Sequence, residues 1–121
     1  MIFVFGSNLA GIHGAGAAKH ALDKEGAVWR EGRGHHGNSY AIPTKDFNIR
    51  SLELTHIESY IHQFILYATT HPHLQFMVTR IGCGLAGYTD EQIAPMFTDA
   101  PSNCYFDEAW AEYLPNHQCW G

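Results

Sequence analysis

The chain has 121 residues, 45% of them hydrophobic and 16% charged, with a formal net charge of −5. That length suits one domain with a real hydrophobic core, residues 1–121 forming a single unit. The acidic balance argues against broad attraction to duplex DNA or RNA, and no apolar run approaches the ~20 residues of a membrane helix.

The run IFVF (2–5) is continuously apolar, as in a strand buried on both faces. A glycine loop, GSNLAGIHGAG (6–16), leads into a helical segment where Ala17, Ala18, Ala21 and Leu22 recur at helical spacing and Gly26 marks a stop. Residues 28–38, VWREGRGHHGN, are polar and punctuated by glycine, which predicts an exposed loop. SYAIPT (39–44) predicts a second strand with Pro43 near its end.

In THIESYIHQFILYATTHP, Ile57, Tyr60, Ile61, Phe64, Ile65 and Ala68 recur at the spacing of an amphipathic helix. Thr55 with Glu58 forms a capping-box pattern, and Pro72 ends the helix. LQFMVTRI (74–81) predicts a third strand, and GCGLAGYT a second glycine loop. DEQIAPMF (90–97) predicts a short helix with Asp90 at its N-cap or in its first turn. SNCYFD (102–107) predicts a fourth strand, and residues 108–121 an aromatic-rich tail packed back onto the body.

Strands alternating with helices predict an α/β fold with a mostly parallel sheet of four or more strands and helices on both faces. Sites in such folds lie at the carboxyl ends of the strands. Both glycine loops and Lys45 fall there. A glycine loop entering a helix lets backbone N–H groups face phosphate oxygens while the helix dipole favours negative charge. GCGLAG (82–87) also matches the GxGxxG of dinucleotide folds. Only about 40 residues follow it, and Pro95 interrupts the next helix, which disfavours that reading. Lys45 can bind a phosphate or act as a nucleophile; the competing reading is a surface lysine paired with Asp46.

Cys83, Cys104 and Cys119 are odd in number and lack CxxC spacing, so neither a disulfide framework nor a thiolate zinc site is expected. The nine histidines include His71-Pro72-His73 but no HExxH, and no metal or cofactor is expected. The first residues lack the basic-then-apolar pattern of a secretory leader, which gives a cytoplasmic expectation.

Three segments, in order, resemble the macrodomain family: SNLAGIHGAGAAKHALDKEG, YAIPTKD and RIGCGLAGYTDEQIAPMF. The branch resembled contains the terminal ADP-ribose protein glycohydrolase and the antitoxin macrodomains that reverse DNA ADP-ribosylation. The resemblance implies a compact macrodomain-like three-layer sandwich that binds ADP-ribose across the carboxyl edge of its sheet. It implies hydrolysis of an ADP-ribosyl linkage to a base or carboxylate, on a protein or on a single modified nucleotide in DNA. The alternative is a reader or sponge of ADP-ribose or a related nucleotide that leaves its ligand unchanged.

Lys45 matches the family's catalytic lysine, with Asp46 or His13 as candidates to tune it. Ser7, Asn8, Gly11, His13, Gly14, Ala15 and Gly16 would contact the ligand from the first loop, with Asn8 near the distal ribose. Thr44, beside Lys45, would join them. Gly82, Cys83, Gly84, Leu85, Ala86, Gly87 and Tyr88 would contact it from the second. Ala86 stands where the protein-directed enzyme has an aspartate, and the antitoxin relatives carry a small residue there. Family members begin with an extra strand ending in Gly-Asp that binds adenine; this chain starts at the central strand. Asp107, Phe47 and Tyr88 are the candidates to replace that aspartate.

Overall fold

The computed structural model describes residues 1–120. Six strands form one mixed sheet: β1 (Ile2–Asn8), β2 (Gly34–His36), β3 (Ser39–Lys45), β4 (Phe76–Val78), β5 (Cys104–Phe106) and β6 (Gln118–Cys119). Three α-helices accompany them: α1 (Gly16–Lys24), α2 (Leu54–Thr70) and α3 (Asp90–Ile93). The strand order is β2-β3-β1-β4-β5-β6, and every neighbouring pair is parallel except β2 with β3. No helix among the described residues is long and apolar enough to cross a membrane.

The apolar run of β1 divides by the two-residue period of a strand. Ile2 and Val4 join the larger core with Tyr40, Ile42, Phe76, Val78 and α2, while Phe3 and Phe5 meet Ala18 and Ala21 of α1. Alpha-helical residues thus cover both faces. Ile57, Ile61, Phe64 and Ala68 form the buried stripe of α2. Phe64 packs edge-on against Phe76 at a centroid distance of 5.3 Å and is fully buried; truncating it to alanine would cost about 3–5 kcal/mol.

Several elements differ from the sequence expectation. Residues 28–38 are not all loop, because Gly34–His36 form the antiparallel edge strand β2. The capping box is not at Thr55: α2 begins at Leu54 with Glu53 as its N-cap and no side-chain cap. The bridge between Lys45 and Ser51, and the Leu52 N–H donating to Thr44 O, hold the chain extended up to that point. A capping box occurs instead at Thr89 and Gln92, which makes Asp90 a first-turn acid and not the cap. Residues 90–97 are α3 followed by a 3-10 turn, Ala94–Phe97, since Pro95 has no N–H for an α-helical bond.

The third strand is shorter than 74–81. Asn103 Nδ2 donates to the carbonyls of Ala68, His71 and Leu74 and so keeps Leu74 out of the ladder. The fourth, expected over 102–107, is Cys104–Phe106. Residues 108–120 of the tail pack back, and Gly121 lies outside the described residues. The tail buries Trp110 in a 3-10 turn, Glu108–Trp110, and then adds β6 to the sheet.

Candidate functional site

A cavity of about 560 Å³ opens at the carboxyl ends of β1, β3 and β4, within the ~300–1,000 Å³ typical of small-molecule sites. Gly6, Ser7, Asn8, Thr44 and Lys45 line it from β1 and β3, and Thr79 and Arg80 from the end of β4. The register pairs Asn8 with Lys45 across an irregularity between Ser7 and Asn8, so the lysine stands at the end of the central strands. Thr44 Oγ1 donates to Ser7 O over 3.1 Å and stitches those ends together.

The first loop is bolted from behind. Asn8 Nδ2 donates to Ile12 O (2.8 Å) and its Oδ1 accepts the Ile12 N–H (2.9 Å), closing the loop on itself. The Arg30 N–H donates to Gly11 O over 2.8 Å, and Ser7 Oγ–H donates to Gly32 O. Gly11 has a φ of +69°, and a Cβ there would lie 2.2 Å from the Arg30 carbonyl carbon. Only glycine fits. Gly11 is therefore a packing residue and does not line the cavity.

His13 is also behind the wall. It is 1% exposed, packs edge-on against Phe5, and donates from Nε2 to Val28 O (3.0 Å) and Glu31 O (3.1 Å). Carbonyl oxygens only accept, so Nε2 carries the proton; Nδ1 is buried without a partner. This ring cannot meet a ligand or relay a proton to Lys45 from there.

Past that anchor the chain turns outward. Gly14, Ala15, Gly16, Ala17 and Ala18 line the cavity, and among the described residues their N–H groups donate to nothing in the protein. The first three positions of α1 account for part of this, because a helix start leaves its N–H groups free. No side chain caps α1, and its first turn carries no acid. Its positive dipole end therefore faces the cavity uncompensated.

The second loop, Gly82 to Tyr88, mirrors that division. Tyr88 Oη–H donates to Leu52 O, Ser51 Oγ–H donates to Ala86 O (2.6 Å), and the Tyr88 N–H donates to Gly82 O (2.9 Å). Gly87 closes the turn through its N–H to Gly84 O at 3.0 Å with a φ of +84°. Tyr88 and Gly87 thus hold the loop and do not line the cavity. Gly82, Cys83, Gly84, Leu85 and Ala86 do, and the N–H groups of Gly84, Leu85 and Ala86 are unused among the described residues.

The charges are one-sided. Among the described residues, Lys45 and Arg80 are the only charged side chains that line the cavity, and no carboxylate does. Arg80 forms a two-pronged pair with Asp90, Nε to Oδ1 at 2.9 Å and Nη2 to Oδ2 at 2.7 Å. Asp90 Oδ1 also accepts Trp110 Nε1–H at 2.7 Å, so this carboxylate is committed to the fold. The Arg80 hydrogen bonds hold its carboxyl below the usual carboxylate range, with the Trp110 bond adding to them against the effect of burial. Burial, then the contact with Asp90, pushes the Cys83 thiol up to about 12, which leaves it protonated and inert.

Lys45 has no ion pair among the described residues. Asp46 does not hold it. The Asp46 carboxylate accepts the N–H groups of Asn48 (2.8 Å) and Arg50 (3.0 Å) and so organises the turn over 46–50. That turn places Ile49, at a φ of +62°, on the cavity. A β-branched residue in the left-handed region carries strain.

Sequence reasoning missed Gly6, Ile12, Ala17, Ala18, Ile49, Thr79 and Arg80 as lining residues. Thr79 and Arg80 lie within the strand expected over 74–81, one residue short of the second loop, and were open to detection as the end of a strand that faces the site. Ile49 gave no signal, because nothing in KDFNIRS marks a strained isoleucine. The chain matches no family model, no curated protein and no solved structure in the three comparisons made.

Proposed function

We propose that the chain is a macrodomain-like three-layer α/β protein that binds ADP-ribose or an ADP-ribosyl group and hydrolyses its glycosidic linkage. One observation supports this above the rest: unused N–H groups from two loops line one cavity that also contains Lys45. Gly14 to Ala18 would take one phosphate and Gly84 to Ala86 the other, each through backbone donors and one through a helix dipole. Lys45, without an ion pair among the described residues, stands beside both stretches. Asn8, despite its two bonds to Ile12, retains one amide hydrogen and one oxygen lone pair for a ribose hydroxyl.

In the chemical step the neutral Lys45 amine forms a bond to the anomeric carbon as the bond to the base or carboxylate breaks. The departing group keeps that bond's electron pair and takes the proton that the newly alkylated lysine nitrogen gives up; water then displaces the lysine, its oxygen going to the anomeric carbon and one of its protons restoring the amine. Incubation with ADP-ribosylated thymidine oligonucleotide and with glutamyl-ADP-ribosylated protein tests this. Release of ADP-ribose by the native chain and loss of release in Lys45→Ala are expected. Full activity in Lys45→Ala would overturn the lysine mechanism.

A second reading is favoured by the absence of any carboxylate among the lining residues. Nothing there stands ready as a general base for the attacking water. On that reading the protein is a reader or sponge, and bound ADP-ribosyl ligand is recovered unchanged.

A further inference from the structure

Arg80 lines the cavity but has no part in a diphosphate held by backbone N–H groups or in a step at Lys45. It stands with Thr79 just past the end of β4, on the far side of β1 from Lys45. Thr79 Oγ1–H donates to Val4 O over 2.6 Å, which fixes the strand end from which Arg80 departs. The two cations therefore leave the sheet two strands apart, roughly 10 Å by the usual spacing.

A guanidinium carries five N–H donors in a rigid planar arrangement with two usable edges. Arg80 spends the edge formed by Nε and Nη2 on the two Asp90 oxygens, at 2.9 Å and 2.7 Å. Its end, Nη1 with the second Nη2 hydrogen, donates to nothing in the protein among the described residues. Asp90 is itself held, because Oδ1 also accepts Trp110 Nε1–H and the residue opens α3 behind the Thr89–Gln92 cap. The guanidinium is thus aimed before any ligand arrives, which lowers the ordering cost of binding. A two-pronged donor of this shape matches two oxygens of a phosphate. Asp90 offsets much of the Arg80 charge at a distance, so recognition lies in the direction of the free end. Among the described residues, no carboxylate lines the cavity to repel a third phosphate.

The ribose attacked by Lys45 would lie at the end of β3 and the diphosphate at the two loops. The adenosine half of the ligand then continues past β4, where Arg80 waits. In dinucleotide-binding folds an arginine near that ribose accommodates a 2′-phosphate. We propose that the ligand of this cavity carries a phosphomonoester on its adenosine ribose, held by the free end of the Arg80 guanidinium. A phosphorylated ADP-ribosyl group is accordingly preferred over ADP-ribose itself. The proposal rests on the ADP-ribose reading given above and deepens it by narrowing the substrate class.

Calorimetric titrations with ADP-ribose and with its 2′-phosphate and 3′-phosphate test it. The native chain is expected to bind one phosphorylated isomer about ten-fold or more tightly than ADP-ribose, the factor that a bond to a charged group supplies. That advantage should vanish in Arg80→Gln. It should be largely lost in Arg80→Lys too, which keeps the charge but not the two-pronged shape. Added salt should shrink it in the native chain. An equal loss for all three ligands in the variants, with their ratio unchanged, would mark Arg80 as structural and overturn the proposal. If the native chain binds ADP-ribose as tightly as both phosphorylated forms, the proposal alone is overturned, and this comparison needs no variant to fold. If the native chain binds none of the three, the ADP-ribose reading falls and the proposal with it.

Discussion

The two glycine loops share a composition and differ in how they are held. Backbone from elsewhere in the chain braces the first: Arg30 and Gly32 press on Gly11 and Asn8 so closely that glycine is obligatory at both contacts, with would-be Cβ atoms 2.2 Å and 2.0 Å from their neighbours. Side chains brace the second, through Tyr88, Ser51 and the Thr89–Gln92 cap. Each loop nevertheless keeps one stretch free, and there the glycines have space around them. Gly14 and Gly84 would each accept a Cβ with nothing inside 4 Å. Glycines in one loop thus do two jobs, and the structure separates them by what a side chain would meet.

Substitutions can break that comparison. Gly11→Ala should be the most damaging, destabilising by on the order of 4 kcal/mol through clash and a φ of +69°; thermal melting checks it. A melting temperature near the native value would show that the first loop can move away from Arg30. Gly14→Ala should shift stability by less than about 0.5 kcal/mol.

The Asp90 link sharpens the picture of the second loop's far end. Asp90→Asn removes the charge that pairs with Arg80, and because Arg80 is 47% exposed the cost is only about 1 kcal/mol. The folded carboxyl titrates below its ordinary value of 3.8, so its contribution is complete above that value and is lost as pH falls through the lower, folded one. The melting difference between native and variant should therefore be constant at neutral pH and shrink below about pH 4. A difference that grows on acidification would contradict the assigned pair. Tyr88→Phe should cost a similar ~1 kcal/mol by freeing Leu52 O, visible as faster hydrogen exchange over 82–88.

The smallest effect concerns thiols. Alkylation at pH 8 should label exposed Cys119 and spare Cys83, whose thiol is pushed up to about 12. Mass mapping of the labelled peptides reads this, and early label on Cys83 would show the second loop opening.

The alternating pattern of strands and helices was legible because β1, β3 and α2 carry long periodic signals. β2 and β6 were not, since Gly-His-His and Gln-Cys are too short and too polar for any period to appear. Both strands exist through pairing with β3 and β5. The site was legible where backbone matters: Gly14, Gly16, Gly84 and Lys45 all line the cavity. It was misjudged where side chains brace the loops. His13 sits among the loop glycines in sequence, but its ring turns inward to carbonyls of a segment 15 and 18 residues away. Local sequence contains no record of such a partner.

The most direct measurement is a calorimetric titration of the native chain and of Gly84→Val with ADP-ribose. A Cβ at position 84 has nothing within 4 Å in the free protein, and the position lines the cavity where the second loop would approach the diphosphate. Binding by the native chain, weakened at least ten-fold (about 1.4 kcal/mol) in Gly84→Val at an unchanged melting temperature, is the expected result. Equal binding by both, or no binding by the native chain, would contradict a clamp built from the two loops.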